Sequence, residues 1–231
     1  MSSYFTWEGF FAAIPLLLEY LPVTLRVTFI SLVVATIIAV FVALIRVRRV
    51  PVLNMVCKCY LHIMRGLPYV VILLLVYYYL PFLVRKIFAV DINRWDKLVF
   101  AVIAFILHEG AYIGEILRAA VESVPKVQSE AAYSVGMSEM QTFFRIVLPQ
   151  SVKVAIPAYG SNLVELFQNT TITFMIGAMD LIGRANTVGG ATMHYIEPYL
   201  VVAVVYVIIS ILIELLFKFL DSKYKFGAST V

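Results

Sequence analysis

Three carboxylates sit where carboxylates are expensive. Glu109, Glu115 and Glu165 fall inside or at the rim of long apolar runs in a 231-residue chain. An ionisable residue at membrane depth marks a pathway or binding site by default. At 1.5 Å of rise per residue, Glu109 lies about 16 Å below the outer start of its run and Glu165 about 16 Å above the inner start of its own. Both fall near a bilayer midplane, where two helices could bring them together to receive an ammonium or guanidinium group. Ser161, Asn162, Glu165, Gln168 and Asn169 recur at three- and four-residue spacing and make one polar helix face. Such a stripe lines a polar path or serves as hydrogen-bonding glue between helices; a carboxylate is costlier glue than Ser or Asn, which favours the path for Glu165. Glu115 is about 120° around the helix from Glu109. It has Arg118 three residues on, followed by Glu122 four residues later, the spacing of structural ion pairs. Arg65, in "MRGLPYV", either meets a substrate carboxylate beside a Gly/Pro backbone break or anchors the chain on the positive side of the membrane. Open backbone N–H groups are the other carboxylate partners available.

The chemistry that is missing bounds the function further. The chain has no G-x-x-x-x-G-K-[ST] and no H-E-x-x-H, and its ionisable residues supply no nucleophile–base–orienter set. No catalytic residue and no metal site is expected. Cys57 and Cys59 form a C-x-C pair without a second pair, which reads as free thiols. His108 reads as a packed polar residue; His62 and His194 form no pattern.

The elements that must position these residues are membrane helices. The chain is 62% hydrophobic and 14% charged, against about a quarter charged in soluble domains. Spans of about 20 apolar residues are expected at 21–45, 67–84, 98–117, 154–181 and 198–217. The fold class is therefore all-α, a polytopic membrane protein with five transmembrane helices forming a single domain over 1–231. Residues 1–20 carry Trp7, Phe10 and Phe11 and suit an interfacial segment; they lack the basic n-region of a signal peptide. With the N-terminus outside, 12 of the 18 Lys and Arg residues fall on inner segments, the expected positive-inside bias. The C-terminus is then cytoplasmic, and so is the segment of about 118–153 between the third and fourth spans. "QNTTIT" should loosen the fourth helix, since Asn and Thr bond the backbone locally.

That cytoplasmic segment contains "EAAYSVGMSEMQTFFRIVLPQ". Ser129 is the expected N-cap of a short helix with Ala131 and Ala132 as small, strong helix formers. Gly136 should stop it in a left-handed turn, Ser138 should cap a second helix, and Leu148–Pro149 should end that one. A small-residue helix with an exposed Glu suits a cleft on another protein; a plain amphipathic surface helix is the alternative.

The spacing E-A-A, three residues, Gly, nine residues, I-x-L-P is complete at Glu130, Ala131, Ala132, Gly136, Ile146, Leu148 and Pro149. It resembles the EAA loop of the permease subunits of bacterial ABC importers. "GAYIGEILRAAVESVPKVQSEAAYSVGM", the "RGLP" at Arg65 to Pro68 and the five-helix layout resemble the polar-amino-acid uptake branch. Val127 departs from the Gly often found there. The resemblance implies a type I importer permease fold in a bacterial cell membrane, with the loop as a coupling helix docking on an ATPase dimer. It implies a transporter subunit and not an enzyme: ATP and Mg are used by the ATPase, and this chain binds no cofactor. A second permease, identical or homologous, an extracytoplasmic binding protein and membrane lipid complete the partners; nucleic acid does not. The substrate implied is a polar amino acid, contacted by Glu109, Glu165, Arg65, Asn162, Gln168 and Asn169. The rival, an ion-coupled secondary amino acid transporter, should carry inverted repeats, and the sequence has none.

Overall fold

The computed structural model describes residues 5–225, and every regular element among them is helical. Helix α1 (Trp7–Leu18) starts at Thr6, whose hydroxyl accepts the Gly9 N–H at 3.2 Å. It exposes Trp7 and Phe11 and buries Ala13 and Leu17 against Val201, Val202 and Tyr206.

Among the described residues, four helices are long and apolar enough to cross a membrane: α2 (Leu21–Val47), α4 (Tyr69–Phe88), α5 (Lys97–Glu122) and α10 (Ile196–Lys225). The fifth crossing is α8 (Leu148–Asn169), whose polar stripe lowers its hydropathy. The expected fourth span of 154–181 is corrected here. It ends as an α-helix at Asn169, tightens into a 3₁₀ turn over Thr170–Ile176 and stops at Gly177 with φ +69°. The cause is local. Thr170 Oγ1 donates to Phe167 O at 2.6 Å and Thr171 Oγ1 to Gln168 O at 2.8 Å, so side chains compete for the last helical carbonyls. Asp180 then accepts the Gly183 N–H at 2.9 Å and starts α9 (Leu181–Thr192), a helix absent from the sequence reading.

The basic segment between the first two spans is also a helix, α3 (Pro51–Gly66). It opens with Pro at its first position, where no N–H is needed. Cys57 and Leu61 turn inward, while Cys59 is exposed. Leu67 is extended and Pro68 caps α4, so "RGLP" separates two helices instead of kinking one.

The core is the α2–α5 pair, packed through small residues as membrane helices require. Ala35 and Ala39 of α2 pack on Ile113 of α5. A Cβ placed on Gly114 would lie 3.1 Å from Val42 Cγ1, and one on Gly110 only 2.8 Å from Tyr60 Oη. Tyr60 Oη in turn donates to Leu107 O at 2.6 Å, which ties α3 to α5. Helix α8 reaches this pair through the Thr36 and Tyr159 hydroxyls, 2.7 Å apart. The tightest helix contact is between α8 and α10: a Cβ on Gly160 would sit 2.5 Å from Phe217 Cγ and 2.7 Å from its Cβ. The Gly160→Ala variant should therefore force α10 outward. Overpacking of this kind costs roughly 1–3 kcal/mol, to be read as a lowered melting temperature of the purified protein. An unchanged melting temperature would show that the α8–α10 contact is slack.

The cytoplasmic loop folds as α6 (Lys126–Ser134), α7 (Glu139–Thr142) and a π-helical turn (Phe143–Val147) running into α8. Gly136, at φ +81°, closes α6 by a Schellman arrangement: Gly136 N–H bonds Tyr133 O at 2.9 Å and Met137 N–H bonds Ala132 O at 3.1 Å. Ser138 caps α7 in a reciprocal box with Gln141. Two expectations fail. Ser129 lies inside α6, which starts at Lys126 with Pro125 at the N-cap position and no side chain capping its first N–H groups. Leu148–Pro149 do not end a helix but begin α8. Leu148 N–H reaches back five residues to Phe143 O, and this wider turn accommodates the proline ring that would clash in a regular helix.

Candidate functional site

The site builds from Glu109 outward. The carboxylate is fully buried, at 0% exposure, on the face of α5 turned toward α8. Its Oε1 lies 3.3 Å from His108 Nδ1, while Oε2 has no hydrogen-bond partner. The Asn162 side chain approaches it as a hydrogen-bonding partner, and Glu165 of α8 lies near enough to act on it electrostatically. Asn162 is also buried, and its Oδ1 is likewise unbonded. Two unsatisfied acceptors in a dry interior are costly and favour a donor-rich group between them. An ammonium, with three donors and no acceptor, has that character.

Aromatic rings define the cytoplasmic side of Glu109. His108 is sandwiched between Tyr69, with ring centroids 3.6 Å apart, and Tyr112, at 4.4 Å. Arg65 lies over the other reach of Tyr112, 5.4 Å from its centroid. Arg65 Nη1 is 4.0 Å from Glu115 Oε1, and Arg46 Nη2 is 3.9 Å from Glu115 Oε2. Arg118 grips the same carboxylate through Nε at 3.0 Å and also holds Glu122. Glu115 is thus the hub of three arginines beside an open cavity of about 480 Å³ that includes His62 and Tyr112.

The sequence-predicted site residues divide into groups. Glu109, Asn162 and Glu165 come together. Gln168 instead bonds Ser210 of α10 at 3.2 Å through Nε2. Asn169 is half-buried in the final residue of α8, at the start of the 3₁₀ turn. Glu165, Ser161 and Gln168 are exposed on this single chain, a row of polar groups at membrane depth with no protein cover of its own. Arg65 sits with Glu115, six residues and about 9 Å along α5 from Glu109. Arg65 is therefore grouped with Glu115 and not with Glu109.

The coupling residues also divide. Glu130, Ala131 and Gly136 are exposed and Pro149 is exposed beyond them, while Ala132 is 5% exposed and packs inward. Ile146 and Leu148 are half-buried beneath the loop. Val127, Tyr133, Val135 and Met140 add exposed apolar surface around Glu130.

Sequence reasoning missed the Tyr69–His108–Tyr112 stack, because rings from two helices carry no local signal. It also missed a clasp at the opposite end of the bundle. Glu197, 1% exposed, accepts the Thr6 N–H at 2.8 Å and lies 3.4 Å from His194 Nδ1, holding α1 to α10. The i,i+3 spacing in "HYIE" was its only trace. In the connection between α4 and α5, Asn93 donates to Asp91 at 2.9 Å and 2.7 Å, which holds that carboxyl below the usual range.

The profile of the family described as "Binding-protein-dependent transport system inner membrane component" matches residues 35–226. The L-cystine transport system permease protein TcyL of Bacillus subtilis (strain 168) is 37% identical over 212 residues, covering 92% of this chain and 88% of that protein. The glutamate/aspartate import permease protein GltK of Escherichia coli O6:H1 is 29% identical over 219 residues, 95% of this chain and 98% of its own. Among solved structures, an amino acid ABC transporter crystallised with histidines superposes with TM-score 0.84 at 26% identity, covering 95% of this chain and 99% of that one. The MetNI methionine ABC transporter superposes with TM-score 0.72 at 19% identity over 90% of this chain and 96% of the other, which speaks to the fold. A family profile over most of the length, and a relative of this identity across nine-tenths of it, mean that the chain belongs to the inner membrane permease components of binding-protein-dependent ABC transport systems.

Proposed function

We propose that this chain carries a polar amino acid across the bacterial cell membrane as one of two permease subunits of an ABC importer. The observation that carries the reading is the buried Glu109–Asn162 pair facing Glu165 on two crossing helices of a permease fold. The chain's similarity to permeases named for cystine and glutamate/aspartate supports the amino acid class. In this reading Glu109 and Glu165 receive the ammonium at the midplane. Arg65, near the cytoplasmic mouth, takes the carboxylate at a later stage of passage. Asn162 orients the ligand; Gln168 and Asn169 line the wider path contributed by α8. The exposed row on α8 faces the second permease across a shared pathway. The substrate arrives from an extracytoplasmic binding protein. ATP and Mg are used by the ATPase dimer, whose groove receives Glu130 and Ala131 and whose ATP-driven closure pulls on the permease through them.

The orientation that this requires is N-terminus outside and C-terminus cytoplasmic. Residues 226–231 lie outside the described residues, so a reporter fused after Val231 is the direct check. A cytoplasmic signal is expected; an external one overturns the orientation and the placement of the loop together. The substrate class is tested by competition. Uptake of labelled cystine, glutamine, glutamate, histidine and arginine should be suppressed by one polar amino acid among them and left untouched by sugars. Uptake that no amino acid competes would overturn the proposal.

A further inference from the structure

The geometry points to a phosphate-binding pocket behind the coupling helix, walled by the cytoplasmic ends of α2 and α5 and by the α6–α7 loop. The cavity is about 440 Å³ and lies apart from the midplane cluster; it meets the exposed surface of α6 at Tyr133. Arg48 and Arg49, at the end of α2, and Lys126, in the first turn of α6, all line it. Among the described residues Arg48 hydrogen-bonds the Met140 thioether, at 3.6 Å from Nη2, and sulfur is a weak acceptor. Arg49 is held at φ +51°, a left-handed backbone that a non-glycine residue adopts under constraint.

Three further observations point the same way. Helix α6 begins at this pocket with no side-chain cap on its first N–H groups, and an uncapped helix start favours an anion. Thr142, a lining residue, is 1% exposed and its hydroxyl has no partner. Two carboxylates, Glu122 and Glu139, also line the cavity, but Glu122 is already held by Arg118. Two guanidinium groups, an ammonium and a helix start therefore line the cavity with one acidic group left over, and an orphaned hydroxyl lies buried in its wall.

A ligand answering this set needs several acceptor oxygens at once, which a phosphate has and a single carboxylate lacks. Leu44 and Val47 form an apolar wall on the membrane side, suited to the glycerol and first methylenes of a phospholipid. The headgroup phosphate of an anionic lipid and free inorganic phosphate share this chemistry, and the test separates them.

The assembled permease–ATPase complex is placed in nanodiscs of phosphatidylcholine alone or with phosphatidylglycerol. Retained lipid is read by native mass spectrometry, and inorganic phosphate is titrated by calorimetry into the phosphatidylcholine sample. Selective retention of phosphatidylglycerol identifies a lipid site; saturable phosphate binding without lipid selectivity identifies a soluble ligand; either supports the pocket. Arg48→Gln and Lys126→Gln should each weaken the binding on the order of tenfold, the effect of losing one charged hydrogen bond. Thr142→Val should weaken it without lowering the melting temperature, because the hydroxyl removed is unsatisfied, and Thr142→Ser should bind as the parent does. No saturable binding of either probe, or binding that Arg48→Gln and Thr142→Val leave unchanged, overturns the proposal.

Discussion

Gly136→Val is expected to abolish coupling while leaving a subunit that inserts and folds. The reason is the backbone and not crowding. Gly136 holds φ +81°, and a Cβ there would meet nothing within 4 Å. A left-handed residue with a side chain costs roughly 1–2 kcal/mol, and a β-branched one more. The whole penalty falls on the Schellman closure that fixes the angle between α6 and α7. The variants should rank Asn, Ala, Val in order of increasing damage, since Asn tolerates the left-handed region best. Substrate-stimulated ATP hydrolysis and uptake should fall together in that order. The melting temperature should fall by only a few degrees, about 2–4 °C per kcal/mol for a chain of this size. Normal uptake in Gly136→Val would show that α6 does not transmit the ATPase's motion.

Glu109→Gln should reduce transport about ten- to a hundredfold, the loss of one charged hydrogen bond of roughly 1.5–3 kcal/mol. The same change should not destabilise the protein. Glutamine keeps the shape and brings an N–H₂ that can donate to the orphaned Asn162 Oδ1. A transport defect with an equal or raised melting temperature therefore marks a ligand-binding role. A lowered melting temperature with normal transport would mark Glu109 and the α8 stripe as packing glue. Glu165→Gln, exposed on this chain, should alter the ranking of competing amino acids without affecting ATPase assembly. Glu115→Gln differs in kind: it leaves Arg46, Arg65 and Arg118 crowded around a neutral amide, and assembly of the complex should suffer before selectivity does.

How much of this was legible depended on whether the signal was local. Long apolar runs announced α2, α4, α5 and α10, because the bilayer sets their length. Gly136 and Ser138 announced the turn of the coupling loop, because left-handed backbone and helix capping are chosen by single residues. The loosening at "QNTTIT" was legible for the same reason, but its consequence was not. Apolar residues resume after Asn169, so composition alone ran the span on to 181, whereas Asp180 restarts the chain as α9. Helix α3 was hidden by its basic residues, which read as an inner loop; its helical period in Cys57 and Leu61 was the available clue. Depth arithmetic brought Glu109 and Glu165 to one level, and the fold places them within electrostatic reach. It could not foresee that Gln168, on the same stripe, would turn to Ser210, or that Tyr69 would stack on His108 from another helix. Those depend on how helices pack, which no single helix encodes. Pro149 shows the converse: proline reads as a stop, yet a π turn beneath it lets the helix continue.

The most direct test of the account is uptake into proteoliposomes. The permease is reconstituted alone or with its ATPase, with ATP inside or absent, and the binding protein and labelled amino acid are added outside. The account predicts accumulation only when the permease, ATPase, ATP and binding protein are all present, and none from an imposed sodium or proton gradient. Gradient-driven accumulation by the permease alone, without ATP or the ATPase, would contradict it.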